Sequence, residues 1–182
     1  STGNQLSARH KRQAAPYELW LPHDAPVRIR GLRIAQRCVF QTTTDSRPRW
    51  TAYGSSITMC RFAPSPARTW PAIAARISNT DLTNLAFAGE CHLDPMIART
   101  IRDTPADIIT LKLGINVHGN SSLNGRSYPA AVIGMIKTIR ERKPTTPIGV
   151  ITSIFASASE NSPNAVGMTL RDYRSLTRDA VA

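Results

Sequence analysis

Hydrophobic and polar positions change rhythm several times along the chain, and each change marks an element. Residues 1–15 are polar and basic with no apolar period, the pattern of a flexible tail. Tyr17-Glu18-Leu19-Trp20-Leu21 and Val27-Arg28-Ile29-Arg30 alternate strictly, with Pro22 and the His23–Pro26 turn between them. That pattern predicts hairpin-like strands, making 16–47 a β-rich segment. So few short strands cannot close a core, so the segment reads as part of an N-terminal β module. Gln41 to Pro48, rich in Thr, Asp, Ser and Pro, reads as the linker.

Beyond it the period alternates between two and about 3.6 residues. Short strands are predicted at Trp50–Tyr53, Leu82–Phe87, Ile108–Leu113 and Ile148–Ile154, the first and third running directly into Gly54 and Gly114. Helices are predicted at Ala67–Ile77, Pro95–Arg102, Pro129–Arg142 and Thr169–Val181. Trp70, Ile73, Ala74 and Ile77 form the expected inner stripe of the first helix, and Ile133 and Ile136 that of the third. Strands separated by helices imply βαβ units, hence an α/β fold over residues 48–182: a parallel sheet in a three-layer α/β/α sandwich.

Composition narrows the function classes. The 182 residues are 41% hydrophobic, enough for a core, and no apolar run approaches the roughly 20 residues of a membrane span. A net charge of +11 raises nucleic-acid binding. The excess, however, is spread along the chain, with 9 basic and 3 acidic residues up to Trp50 and 14 and 9 after it. Aromatics, which single-strand binders interleave with cations, make up only 6%. Nucleic acid is therefore not an expected partner. The three cysteines form no C-x-x-C pair, and no cluster has metal-ligand or phosphate-loop spacing, so no metal or cofactor is expected. No leader pattern is visible, and the compartment stays open.

In open parallel sheets ligands sit beyond the carboxyl ends of the strands. Three loops lie there: Gly54-Ser55-Ser56-Ile57-Thr58, Ala88-Gly89-Glu90-Cys91-His92 and Gly114-Ile115-Asn116-Val117-His118. They offer a hydroxyl at a Gly turn, a glycine N–H open to close approach, and a carboxamide donor. Acyl transfer needs such a set, a nucleophile beside donors that meet a tetrahedral oxyanion. Ser55 suits a helix cap, and Ser56 alone would too; the company of Gly89 and Asn116 makes Ser56 the candidate nucleophile. His92 and His118 lie near the site but read as surface or supporting residues. Cys60 and Cys91 both fall near this crevice, either paired or as ordinary buried thiols.

At these residues the chain resembles the SGNH (GDSL-type) hydrolases. Gly54-Ser55-Ser56-Ile57-Thr58 is similar to that family's first block, with Ser at 55 where Asp is usual. Asn84-Leu85-Ala86-Phe87-Ala88-Gly89 is similar to the second, and Gly114-Ile115-Asn116 to the third, with Val117 where Asp is usual. Cys91-His92-Leu93-Asp94-Pro95 and Tyr17–Pro22 resemble a bacterial esterase branch in which a β-sandwich precedes the hydrolase domain. The resemblance implies a flavodoxin-like fold and a serine esterase working through an acyl-serine intermediate. Ser56 would be the nucleophile, with its own N–H, Gly89 and Asn116 as oxyanion donors. It also implies a small-molecule ester substrate, including acylated carbohydrates.

The family's fourth block, an Asp followed three residues later by the activating His, has no counterpart: no histidine follows Ile154. The expectation is therefore a C-terminally incomplete hydrolase domain with impaired activity, whose open edge is covered by a second copy or a bound C-terminal fragment. The rival expectation is a non-catalytic carbohydrate- or acyl-binding pseudoenzyme.

Overall fold

The computed structural model describes residues 17–42 and 44–182. Four parallel strands, β1 (Arg49–Gly54), β2 (Asp81–Ala86), β3 (Ile108–Lys112) and β4 (Ile148–Ile151), form one sheet in the order β2-β1-β3-β4. Tyr53 stands opposite Leu85 on one side and Leu111 on the other, which brings the carboxyl ends of the three inner-site strands level. Helices α1 (Ser56–Met59), α2 (Trp70–Ser78), α3 (Pro95–Asp103), α4 (Ile115–Gly119), α5 (Ser127–Arg140), α6 (Ser157–Glu160) and α7 (Leu170–Val181) connect and flank the strands. The expected three-layer α/β/α sandwich is present.

The main core lies under α3, α5 and α7, where Ile101, Val132, Ile139 and Tyr173 close over Tyr53, Ile109 and Leu111. α2 covers the opposite face, which carries Trp50 and Ala52. Its start is set by Thr69, whose hydroxyl accepts from the Ala72 N–H (3.4 Å), with Pro71 in the first turn. α7 opens with a reciprocal capping box between Thr169 and Asp172.

Several expectations are corrected. Residues 17–42 form no strand. Their alternating apolar side chains, Leu19, Ile29 and Leu32 among them, are exposed, and no neighbouring strand pairs with them; without partners the pattern has no ladder to join. The segment is tied down instead by the His23 ring at the Cys60 carbonyl (3.2 Å) and by the Arg47–Glu18 ion pair. The tail 1–15 lies outside the described residues.

α2 begins at Trp70, after a 3-10 turn at Pro66–Arg68, and buries Pro71, Ala72 and Ala75 rather than Ile73, Ala74 and Ile77. Trp70 explains the rotation. Its indole N–H donates to the Ile57 carbonyl (2.8 Å) and its ring packs on Trp50, which leaves Ile77 outside and lets the alanine face lie close to the sheet. In α5 the buried stripe is Tyr128, Val132, Met135 and Ile139, so Ile133 is half exposed while Ile136 packs at the core margin. β4 ends at Ile151, because the Ser153 hydroxyl turns inward to the Leu113 carbonyl (2.9 Å).

Candidate active site

Ser56 follows β1, Gly89 follows β2 and Asn116 follows β3, so the three candidate residues stand at the carboxyl ends of adjacent strands. Each is held there by a local device. Gly54 lets α1 fold back tightly: a Cβ at this position would lie 2.8 Å from Thr58 Cβ and 3.3 Å from Lys112 Cβ. Ser55 is fully buried and caps α1, its hydroxyl accepting from the Ile57 N–H (3.3 Å). Ser56 is exposed. One serine is thus spent on structure and the next is presented to solvent. Asn84 steadies the helix from β2 by donating to the Thr58 carbonyl (3.2 Å).

The loop after β2 joins the other two strand ends. The Phe87 N–H donates to the Gly54 carbonyl (2.8 Å), and the Leu93 N–H to the Tyr53 hydroxyl (3.1 Å). The Cys91 thiol points at the Lys112 carbonyl (3.7 Å). Gly89 takes a φ of 79°, in the left-handed region that glycine enters without cost.

After β3, Gly114 turns the chain with a φ of 104°, where a Cβ would lie 2.9 Å from the Ser153 hydroxyl. This places Asn116 in the first turn of α4. Its Oδ1 accepts from the Cys91 N–H (3.2 Å), which orients the carboxamide and turns its NH2 group away from that bond. Among the described residues, the Asn116 NH2 group, the Gly89 N–H and the Ser56 N–H all lack hydrogen-bond partners. Three free donors therefore stand on three adjacent strand ends.

The two histidines near these strand ends, His92 and His118, are both hydrogen-bonded. His118 is buried, its Nε2 at the Ser162 carbonyl (3.4 Å) and its ring edge-on to Tyr173. His92 contacts the Ser122 hydroxyl through Nδ1 (2.8 Å) and the Gly89 carbonyl through Nε2 (3.0 Å). All three thiols, Cys38, Cys60 and Cys91, are free. Burial pushes the Cys91 thiol up to about 11 and raises the Tyr53 phenol as well, so both stay neutral where they support the loop. Lys112 is buried with one long bond to the Thr152 carbonyl (3.4 Å) and no carboxylate partner among the described residues; burial lowers its pKa. Tyr53 and Lys112, and the Asn120 contacts to the Gly89 turn, escaped the sequence reading. Among the described residues, no helix is long and apolar enough to cross a membrane.

The sequence profile of the GDSL-like lipase/acylhydrolase family matches residues 49–178. No curated protein matches the chain. Among solved structures, a salicylyl-acyltransferase, SsfX3, from a tetracycline biosynthetic pathway is 40% identical with a TM-score of 0.70, over 77% of this chain and 40% of that one. A structure described as a GDSL-like lipase from Bacteroides ovatus is 21% identical with a TM-score of 0.64, over 76% and 39%. A family two carbohydrate esterase from Clostridium thermocellum, in complex with cellohexaose, is 16% identical with a TM-score of 0.57, over 78% and 51%. The chain thus spans about two fifths of the first two and half of the third. With the family's profile covering all four strands and the three glycine-bearing turns that carry Ser56, Gly89 and Asn116, the chain belongs to the GDSL-like lipase/acylhydrolase family.

Proposed function

We propose that the protein is a serine esterase or acyltransferase that cleaves a small-molecule ester through an acyl-Ser56 intermediate. The observation that carries this reading is the set of three unpartnered N–H donors at Ser56, Gly89 and Asn116 on adjacent strand ends, with Ser56 exposed. Ser56 Oγ attacks the ester carbonyl carbon. The carbonyl oxygen takes up the electron pair and is met by the Ser56 and Gly89 N–H groups and the Asn116 carboxamide. Collapse breaks the ester C–O bond and releases the alcohol, and water or a second alcohol then takes the acyl group from Ser56. The 40% identity to an acyltransferase supports transfer to an acceptor alcohol as well as hydrolysis. The carbohydrate esterase, at 16% identity, bears on the fold alone.

The proton leaving Ser56 Oγ needs an acceptor. His92 is engaged with the Gly89 carbonyl and His118 with the Ser162 carbonyl, so on this reading the 182-residue polypeptide by itself turns esters over slowly. Loss of a triad's base costs on the order of 10⁴ to 10⁶ in rate. The same observation favours a second reading, a protein that binds an ester without cleaving it. Turnover of a panel of p-nitrophenyl esters, with and without a small alcohol acceptor, tests both. Slow release abolished by Ser56→Ala is the expected result. Release equal in wild type and Ser56→Ala, with the esters still bound, would favour the binding protein.

A further inference from the structure

The Gly89 carbonyl is gripped from two sides. The Asn120 carboxamide donates to it (3.0 Å), and His92 Nε2 lies 3.0 Å from the same oxygen. The two gripping nitrogens stand side by side, 3.1 Å apart. The other side of the imidazole is 2.8 Å from the Ser122 hydroxyl. With its proton on Nε2 the ring donates to Gly89 and accepts from Ser122 at Nδ1, and the 3.1 Å approach to the Asn120 nitrogen is then a contact between two donors that share the Gly89 oxygen. Glu90, exposed and 4.0 Å from Nε2, adds little to this arrangement.

We infer that His92 and Asn120 are positioning residues that aim the Gly89 N–H into the crevice. This inference rests on the reading of Gly89 as an oxyanion donor. Its physical basis is the freedom of the turn. Gly89 carries no Cβ, and a Cβ built on it would meet nothing within 4 Å, so no side chain of its own anchors the turn. Upstream, the chain is fixed where the Phe87 N–H meets the Gly54 carbonyl (2.8 Å). Downstream, the bonds from the Glu90 N–H to the Phe87 carbonyl (3.3 Å), the His92 N–H to the Glu90 carbonyl (3.1 Å) and the Cys91 N–H to Asn116 Oδ1 (3.2 Å) hold the loop, and the grip is the contact made to the Gly89 carbonyl itself. Between these anchors lies the Ala88–Gly89 peptide, the unit whose N–H is free, and its orientation follows from where the Gly89 carbonyl is held. Removing the grip lets that unit turn away while fold and nucleophile stay in place. The elements joined are the β2 loop and the segment after α4, so the grip also sets the spacing between Gly89 and Asn116.

The test has two parts. In the free protein, NMR relaxation reads the Gly89 amide directly. A rigid order parameter of about 0.85 is expected in wild type, falling below about 0.6 in His92→Phe and in Asn120→Ser. His92→Gln, whose amide reaches about as far as Nε2, should restore it. Asn120 is exposed, so its variant keeps the test alive should His92→Phe fail to fold. A Gly89 amide that stays rigid in both, or that Gln restores no better than Phe, overturns the inference.

The second part titrates phenylboronic acid, which a serine hydroxyl converts into a tetrahedral anion. Loss of a whole oxyanion donor costs about 10²- to 10³-fold, so a misaimed one should weaken binding about tenfold in His92→Phe and Asn120→Ser. Boronate affinity unchanged in both variants overturns the catalytic half of the inference. Affinity retained in Ser56→Ala overturns the Ser56 reading instead, and the relaxation measurement still judges the grip.

Discussion

Gly54→Ala should displace the helix that carries Ser56. The added methyl would sit 2.8 Å from Thr58 Cβ, where ordinary contact begins at 3.4 Å, so β1 and α1 must separate by about 0.6 Å. Rotation of the threonine does not relieve this, because the nearest carbon is Cβ itself. Thr58 cannot simply swing out, being fully buried with its carbonyl held by Asn84. Overpacking of this kind costs about 1–3 kcal/mol. For a chain of this size that lowers Tm by roughly 2–12 °C. The position of Ser56 Oγ suffers more than stability does, since a displacement near 1 Å costs about 10²-fold in reactivity. Urea melts of Gly54→Ala, Thr58→Gly and the double variant form a cycle in which the clash appears as coupling. The expected result is a double variant less destabilised than the two singles combined. A Gly54→Ala protein melting within about 1 °C of wild type, or strictly additive effects, would refute the packing argument.

Three further outcomes are expected. Asp107 is held at about 2 by hydrogen bonds from the Arg49 side chain and N–H, which tie the start of β1 to β3. Its contribution to stability is full above the ordinary carboxylate value and is lost as pH falls from about 4 through about 2, so Asp107→Asn should flatten that part of an acid melt. A slope unchanged there would contradict it. Cys91, with its thiol pushed up to about 11 by burial, should resist iodoacetamide at pH 8 while exposed Cys38 reacts, and equal rates in the native state would sink this. β4 is an edge strand of the described sheet, with Ile151 partly exposed. The 182-residue polypeptide should therefore self-associate, and Ile151→Lys should reduce the associated fraction in sedimentation; no change in that variant would place the contact elsewhere.

The alternation of strand and helix was legible because its period is local, and so were the glycine turns at Gly54, Gly89 and Gly114, which follow directly from strand ends. The Ser55 cap and the exposed Ser56 could be ordered for the same reason. What escaped was set by tertiary contact. The face of α2 depends on Trp70 reaching the Ile57 carbonyl, a bond across 13 residues. Tyr53 meets the Leu93 N–H across 40 residues, and Asn120 meets His92 across 28. Such separations have no period to read. The alternating stretch at 17–30 failed in the opposite way: its pattern is strand-like, but a strand exists only where another pairs with it.

The most direct test of Ser56 as nucleophile is peptide mass mapping after prolonged incubation with p-nitrophenyl acetate. The activated leaving group needs no protonation, and on the proposed reading, in which neither His92 nor His118 acts as the base, the intermediate should accumulate. One acetyl group on the peptide carrying Ser56 is predicted, absent in Ser56→Ala and about 10²- to 10³-fold slower to form in Asn116→Ala. Acetylation confined to lysines or to Ser55, or unaffected by Asn116→Ala, would contradict the account.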